Sequence, residues 1–403
     1  MSTEIPPTNG LPILFRDLLS FGHKYDLASS ITNLLQIPTP ALTCSGTVAL
    51  MVALKTLQSI HPKKNQVIIP AWTCPLVPLA IEKLGLTPIV CDLKKDHFDY
   101  DLNELALKTN ANTLAIIATH IAGLVCDLAG IQHIADQHQT YVIEDAAQAM
   151  GAQYHHQSVG LFGDIGFFSL AFGKGLTSAE GGILFSKNPE LQQKLHAACQ
   201  DLPVLKDWEL KRMIELVGYT FLYRPSTLSL IYGNSLRRAL KNNDEITAVG
   251  DDFDQDDIPV HRLGQWRSQV AASAISRLPE HWQKAQHQAR SRIKRLKQLP
   301  HLQVFEEQTD SRSNFPFILL LTDRPELAQA ILAKLWTQGL GVTKLFVRAI
   351  HQYPNLAHLN TPLPQAESFA QRCLSISNSA WLNDDEFEKI YNIIENTIHS
   401  YKK

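Results

Sequence analysis

Three short stretches of this chain hold residue types that do chemistry, and each sits where an apolar run gives way to a turn or helix. The run at 41–44 is followed by Ser45-Gly46-Thr47, which opens a helical segment. Free N–H groups and the positive helix end at such a point attract an anion, and Gly46 lets the backbone approach a phosphate closely. An ordinary Ser/Thr helix cap uses the same residues. The run at 141–144 ends in Asp145, with AAQAMGA after it. A carboxylate at a strand's C-terminal edge is where α/β sheets present functional groups, although a helix cap or an ion pair explains it equally. The run DIGFF ends at Ser169, and Lys174 follows five residues later in a Gly-flanked loop. Taken alone, a loop lysine is a solvated cation. Taken together, the parts have one economical use, which is holding pyridoxal phosphate: a cup for the phosphate, a carboxylate for the ring nitrogen and a lysine for the aldehyde carbon. The carboxylate would keep the pyridine nitrogen protonated, so that the ring draws electrons from the substrate. The lysine would form the resting Schiff base and, once displaced, carry the proton between substrate and cofactor carbons.

Other motif candidates fail on spacing. Gly173-Lys174 has Phe168 where a P-loop needs its first glycine, and Gly175 where it needs Ser or Thr. Gly339-Leu340-Gly341 has Lys344 in place of the last glycine of a dinucleotide fingerprint, and it precedes a strand-like run. Cys126, His133 and His138 lie on and around an amphipathic helical stretch without paired-ligand spacing, so no metal site is expected.

The elements that must position these residues follow from periodicity. Val- and Ile-rich runs (ALTCSG, QVIIP, TPIVCD, LAIIATH, YVIED, DIGFFSL and GGILFS) alternate with helical stretches at 47–58, 75–84, 127–137 and from Asn188-Pro189 onward. Strands that are apolar throughout imply a sheet covered on both faces, so a large, mostly parallel α/β/α domain is expected over 41–200. Residues 1–40 read as an N-terminal arm with one or two short helices. Residues 201–260 break the rhythm as a helical insertion with Trp208, Tyr219, Phe221, Tyr223 and Tyr232, closed by an acidic loop with five Asp between 251 and 257. It reads as packing on the domain or on a second subunit. A membrane-surface helix is disfavoured because Glu is mixed with Arg and Lys. The Asp run lacks calcium-loop spacing and reads as a solvated loop. Residues 261–403 read as a long helix over 265–299, broken near Pro279, and a smaller C-terminal α/β domain. In that domain NFPFILLL and GLGVTKLF are strands around a helix at 325–338, and a helix over 384–401 closes the chain.

With 403 residues, 45% hydrophobic and 19% charged, the chain has enough apolar surface for a sizeable core. Its 37 Lys+Arg against 39 Asp+Glu give a net charge of −2, which argues against a nucleic-acid polymer as partner. Six cysteines without a CxxC pair read as reduced thiols and a cytoplasmic location. Neither a signal peptide nor a transmembrane segment is expected.

The sequence also resembles the DegT/DnrJ/EryC1/StrS family of pyridoxal-phosphate-dependent sugar aminotransferases. The matching stretches are SGTVAL (45–50), VIIPAWT (67–73), ATHIAG with CDLAGI (118–131), VIEDAAQAMGAQY (142–154), VGLFGDIGFFSL (159–170) and GKGLTSAEGGILFS (173–186). AASAISRL (271–278), GVTKLFVRAIHQYP (341–354) and LSISNSAWL (374–382) fit more loosely. The resemblance implies a fold-type-I transferase. Lys174 would be its Schiff-base lysine, Asp145 the partner of the pyridinium nitrogen and Gln148 a contact to the cofactor's ring oxygen. Gly46, Thr47 and Ser169 would hold the phosphate. Dehydratases of the family carry His at the Lys174 position, so transamination is implied. The donor would be an amino acid such as L-glutamate and the acceptor a keto-sugar, nucleotide-linked, for surface polysaccharide or amino-sugar biosynthesis. A homodimer with shared sites is also implied. Two departures stand out. Cys74 occupies the place where the family has a ring-stacking aromatic, and where the family has an Asn that reaches a partner's phosphate, the nearest candidates in 261–269 are Gln265 and Arg267. Arg262, Arg267 and Arg348 are the candidates for holding the donor carboxylate. The rival readings are an aminotransferase for a non-sugar aldehyde or ketone, and a non-catalytic cofactor-binding regulator.

Overall fold

The computed structural model describes residues 3–20, 26–254 and 258–400. One sheet holds seven strands in the spatial order Ala41–Thr43, Gly182–Phe185, Ile165–Ser169, Tyr141–Asp145, Thr113–Thr119, Gln66–Pro70 and Thr87–Cys91. Gly182–Phe185 runs against both neighbours, and the remaining pairings are parallel. The two-residue period of the strands divides the core. Val67, Ile69, Ala115, Ile117, Ile143 and Phe167 face one hydrophobic cluster, whereas Ile68, Ile116, Ala118, Val142 and Phe168 face another. Burial on both faces is why these runs are apolar throughout. The parallel strands all end at one edge, where the candidate residues lie.

Helices cover both faces where periodicity placed them, shifted by a residue or two. Gly46–Ile60 starts at its Ser45 cap, whose Oγ accepts from Val48 N–H at 3.1 Å. Leu128–Gln137 is capped by Asp127, and Pro189–Gln200 by Asn188. The long helix breaks at Ile275–Arg277, just ahead of Pro279, into Gln265–Ala274 and Leu278–Leu296.

The smaller unit is built on an antiparallel sheet in the order Leu302–Val304, Phe317–Thr322, Cys373–Ser377 and Val342–Thr343. GLGVTKLF contributes only the two-residue strand, because the chain then turns so that Phe346 packs edge-on against Trp72. Cys373–Ser377 escapes the periodicity reading. It follows the helix Pro364–Arg372 with no turn between them, and its serines interrupt the apolar run. Their hydroxyls are satisfied inside the fold: Ser375 donates to Thr343 O and Ser377 to Pro6 O.

The N-terminal stretch carries helices Phe15–Leu18 and Leu27–Leu35, and before them a strap. Ile5 N–H reaches Gly339 O and Asn9 N–H reaches Pro316 O in the small unit. Thr8 Oγ1 donates to Gly173 O at 2.6 Å and Leu11 N–H to Gly175 O at 3.0 Å, on either side of Lys174.

Residues 201–260 fold as helices Lys206–Leu222, Asn234–Lys241 and Glu245–Val249, with a π-helical turn at Ser229–Gly233. Leu216 and Tyr219 on the first helix enter the core, while Leu210, Ile214, Val217 and Phe221 stay exposed. Residues 255–257 of the acidic loop lie outside the described residues. A buried ion pair anchors the helix Lys206–Leu222. Arg267 is fully buried and donates Nε to Glu209 Oε2 at 2.9 Å and Nη2 to Oε1, with Nη1 on the carbonyls of Ser178 and Glu180. Removing one partner of such a pair strands a charge in the core. Glu209→Ala should therefore cost about 3–5 kcal/mol in urea unfolding, and Glu209→Gln, which keeps an acceptor oxygen, clearly less.

Candidate active site

Register across three strands brings the parts together without long side chains. Gly182 pairs with Thr43 on one flank and with Ser169 on the other. A Cβ on Gly182 would stand 2.2 Å from the carbonyl oxygen of Ser45, so only glycine permits this approach. A Cβ on Gly46 would lie 3.0 Å from Ser169 Cβ. The N–H groups of Gly46 and Thr47, in the first helical turn, have no intrahelical acceptor, and Ser169 Oγ lies beside them. Ser45 is occupied as the helix cap, while the N–H groups of the next two residues stay open toward the cavity.

These residues open on a cavity of about 660 Å³ lined by Gly46, Thr47, Asp145, Gln148, Ser169 and Lys174. Asp145 ends the central strand and accepts Ala147 N–H on Oδ1 at 3.0 Å, with no protein partner on Oδ2 among the described residues. Burial pushes its carboxyl above the ordinary value, opposed by that N–H and by Lys174. Burial likewise lowers Lys174, opposed by Cys74 and Asp145. A lowered lysine pKa enlarges the neutral amine fraction, the form that attacks a carbonyl or takes a proton. Gln148 Oε1 accepts Ala122 N–H at 2.9 Å, which leaves the amide NH₂ as the end that can donate into the cavity. Ala122 is held at φ 56°, a left-handed conformation that aims this N–H.

Two further residues were not picked out by their spacing. Glu144, next to Asp145 but on the opposite face of the strand, is fully buried and accepts from Gly160, Phe162 and Gly163 N–H at 2.6–2.7 Å. His120 Nε2 meets it at 2.9 Å, while His120 Nδ1 accepts Cys126 N–H, which fixes one neutral tautomer. Burial pushes Glu144 up, but the His120 bond and the loop N–H groups outweigh it and hold it below the ordinary value. In the sequence, only the tandem Glu-Asp at a strand end hinted at this anchor.

The covering of the cavity departs from an aromatic next to Thr73. Cys74 lines it as a thiol that burial, and then the charge of Asp251, raises to about 12. Trp72 points away, fully buried, its Nε1 on Phe346 O at 3.0 Å. Phe172, Phe253 and Phe346 supply the aromatic walls instead. Phe172 stacks on Tyr219 and Tyr219 on Tyr223, which ties the wall to the helix Lys206–Leu222. Of the arginines singled out, Arg267 is consumed by Glu209, and Arg262 and Arg348 are exposed and absent from the lining. Arg212, from the helix Lys206–Leu222, lines it instead.

The fold defines the class: the architecture is that of the pyridoxal-phosphate-dependent transferases, with an acid, a lysine and a helix N-terminus brought to one sheet edge. The chain belongs to the DegT/DnrJ/EryC1/StrS aminotransferase family, whose model matches residues 25–215 and 261–395 and passes over 216–260. It is an aminotransferase of that family. Among curated relatives, the UDP-N-acetyl-3-dehydro-alpha-D-glucosamine 3-aminotransferase of Acidithiobacillus ferrooxidans is 28% identical over 357 residues, covering 88% of this chain and 83% of the relative. Among solved structures, Helicobacter pylori PseC, an aminotransferase involved in the biosynthesis of pseudoaminic acid, superposes with a TM-score of 0.75 at 19% identity, covering 98% of this chain and 100% of that one. Spr1654 of Streptococcus pneumoniae in its PLP form gives 0.74 at 17% identity over 99% of both.

Asp251, at the base of the acidic loop, accepts the Tyr353 hydroxyl at 2.7 Å and is raised by burial to about 7. With the folded-state value above the ordinary 3.8, folding takes up a proton between about pH 4 and 7, so stability falls as pH rises through that window. Asp251→Asn removes this dependence. Its stability relative to wild type should climb between about pH 4 and 7 by at most about 1.4 kcal/mol per unit and then level off, as read by urea midpoints.

Proposed function

We propose that this enzyme transfers an amino group from an amino-acid donor, L-glutamate in our reading, through pyridoxal phosphate to a nucleotide-linked keto-sugar. The observation that carries the proposal is the convergence of Lys174, Asp145, Gln148 and the Gly46–Thr47–Ser169 cup on one cavity. The residues fit the cofactor. Asp145 Oδ2 is free to accept a ring N–H, Gln148 can donate to a ring oxygen, and the Gly46 cradle leaves backbone N–H groups for a phosphate. When bound, pyridoxal phosphate supplies an electron sink for the bond broken at the amino-bearing carbon. Lys174, with its lowered pKa, is the base that holds and returns the proton at Nζ. Glu144 and His120 act behind it by keeping the end of the central strand rigid. Donor and acceptor would use the cavity in turn, giving ping-pong kinetics.

The keto-sugar assignment is supported by the Acidithiobacillus relative, whose name specifies a UDP-linked 3-dehydro sugar. Products of this kind serve surface polysaccharide or amino-sugar biosynthesis. A homodimer that shares its sites is part of the same reading. The uncovered stripe Leu210, Ile214, Val217 and Phe221 gives a surface suited to such pairing. Six free cysteines, five of them buried, support a cytoplasmic location. Among the described residues no helix is long and apolar enough to cross a membrane.

In the test, purified holoenzyme receives L-glutamate alone and then a panel of nucleotide-linked keto-sugars. We expect 2-oxoglutarate in the first step and an amino-sugar in the second. Turnover of simple aldehydes or ketones with none of the sugars would replace the acceptor assignment, and no 2-oxoglutarate would remove the function. Lys174→Ala should lose the visible absorbance of the lysine-bound cofactor and slow the glutamate step about 10²–10⁴-fold.

A further inference from the structure

Resting on the aminotransferase reading, we infer that Arg212 is the cation in the cavity that receives an anionic oxygen pair of the substrate, with Glu215 as its exchangeable stand-in. Both classes of substrate carry such a group: the donor its carboxylates, the acceptor its phosphates.

Among the residues lining the cavity, the charged ones are Asp145, Lys174, Glu180 and Arg212. Lys174 and Asp145 are committed to the chemistry, which leaves Arg212 as the cation available for recognition. Its plane is held from behind, because the guanidinium carbon sits 4.7 Å from the centre of the Trp208 ring, one helical turn away. Its Nε donates to Glu180 Oε2 at 2.8 Å, and the same oxygen accepts Trp208 Nε1 at 3.0 Å. Glu180 is itself anchored, since its carbonyl takes a bond from the buried Arg267. Trp208, Glu180 and the helix thus fix the Nε side of the fork.

The far side is different. Nη1 donates to Glu215 Oε2 at 2.6 Å, and Nη2 has no partner among the described residues. Glu215 is the more exposed of the two carboxylates, 31% against 16% for Glu180. A carboxylate or phosphate engaging Nη1 and Nη2 together replaces a single bond with a bidentate pair, the arrangement that a guanidinium matches best. Glu215, the more exposed partner of this part-buried pair, would then swing toward solvent, its one bond to Nη1 replaced by the two from the incoming anion.

Opposite effects from the two partners make the test specific. Arg212→Met keeps the apolar stem against Trp208 and removes the charge, and Glu215→Gln removes the competitor. With L-glutamate as the sole substrate, stopped-flow of the holoenzyme should show the apparent KM rising roughly 10- to 100-fold in Arg212→Met with the limiting rate held within about threefold. It should fall several-fold in Glu215→Gln. In a second arm, UDP is titrated as a competitor against the keto-sugar step. A rise in KM confined to the first arm assigns the donor carboxylate, and weakened UDP inhibition confined to the second assigns the phosphate. Retained visible absorbance of the lysine-bound cofactor reports that Arg212→Met is folded. If folded Arg212→Met leaves both arms unchanged, or if Glu215→Gln weakens rather than tightens binding, the inference is wrong. Wild-type turnover in the same experiments separates that outcome from failure of the aminotransferase reading.

Discussion

A single buried carboxylate organises this molecule. Glu144 lies near the end of the middle strand of a seven-stranded sheet and collects His120 and three loop N–H groups. An ionised carboxylate without water is tolerable only when its oxygens are fully used, and here they are. The donors come from the turn leading into the neighbouring strand and from the end of the strand on the other side. Glu144 therefore locks three consecutive sheet positions at the edge where the cavity forms. Because side chains alternate across a strand, Asp145 must then face the opposite side and point at the cavity. One residue is anchor and the next is instrument. The two carboxyls are displaced in opposite directions, Glu144 below its ordinary value by its donors and Asp145 above it by burial.

The same economy applies to charge. What this near-neutral chain offers an anion at the cavity is mainly geometry: helix-end N–H groups beside Gly46, a hydroxyl from Ser169, and a glycine at 182 that lets three strands close up. Cations are few, and those nearest the cavity are restrained by neighbouring carboxylates. The helix Lys206–Leu222 follows suit. The buried pair of its Glu209 with Arg267 fastens it to the backbone just beyond Lys174, and its aromatic stack runs to Phe172 in the cavity wall.

How much of this was readable from the residues depends on distance along the chain. The strands of the large sheet, its mostly parallel character and the placing of Lys174, Asp145 and Ser45-Gly46-Thr47 at or just after strand ends were legible because each rests on local periodicity. The side-chain donor end of Gln148 was not, because it depends on Ala122 in a left-handed conformation. Nor was Arg212, whose place depends on Glu180 across the cavity mouth; along the sequence it is one more basic residue in a mixed-charge helix. Arg267, weighed as a carboxylate ligand, is buried against Glu209, a contact between residues 58 positions apart that no spacing rule predicts. Cys373–Ser377 was hidden because helix passes into strand with no turn residue between them.

The strap formed by residues 5–11 has a mechanical consequence. One end is sewn to the small sheet through Gly339, Pro316 and Ser377, and the other to the carbonyls of Gly173 and Gly175. A displacement of the small sheet against the large one would thereby be carried along a few residues of backbone to the loop that holds Lys174. The position of the Lys174 amine and that of the small sheet would then be set by the same strap of backbone.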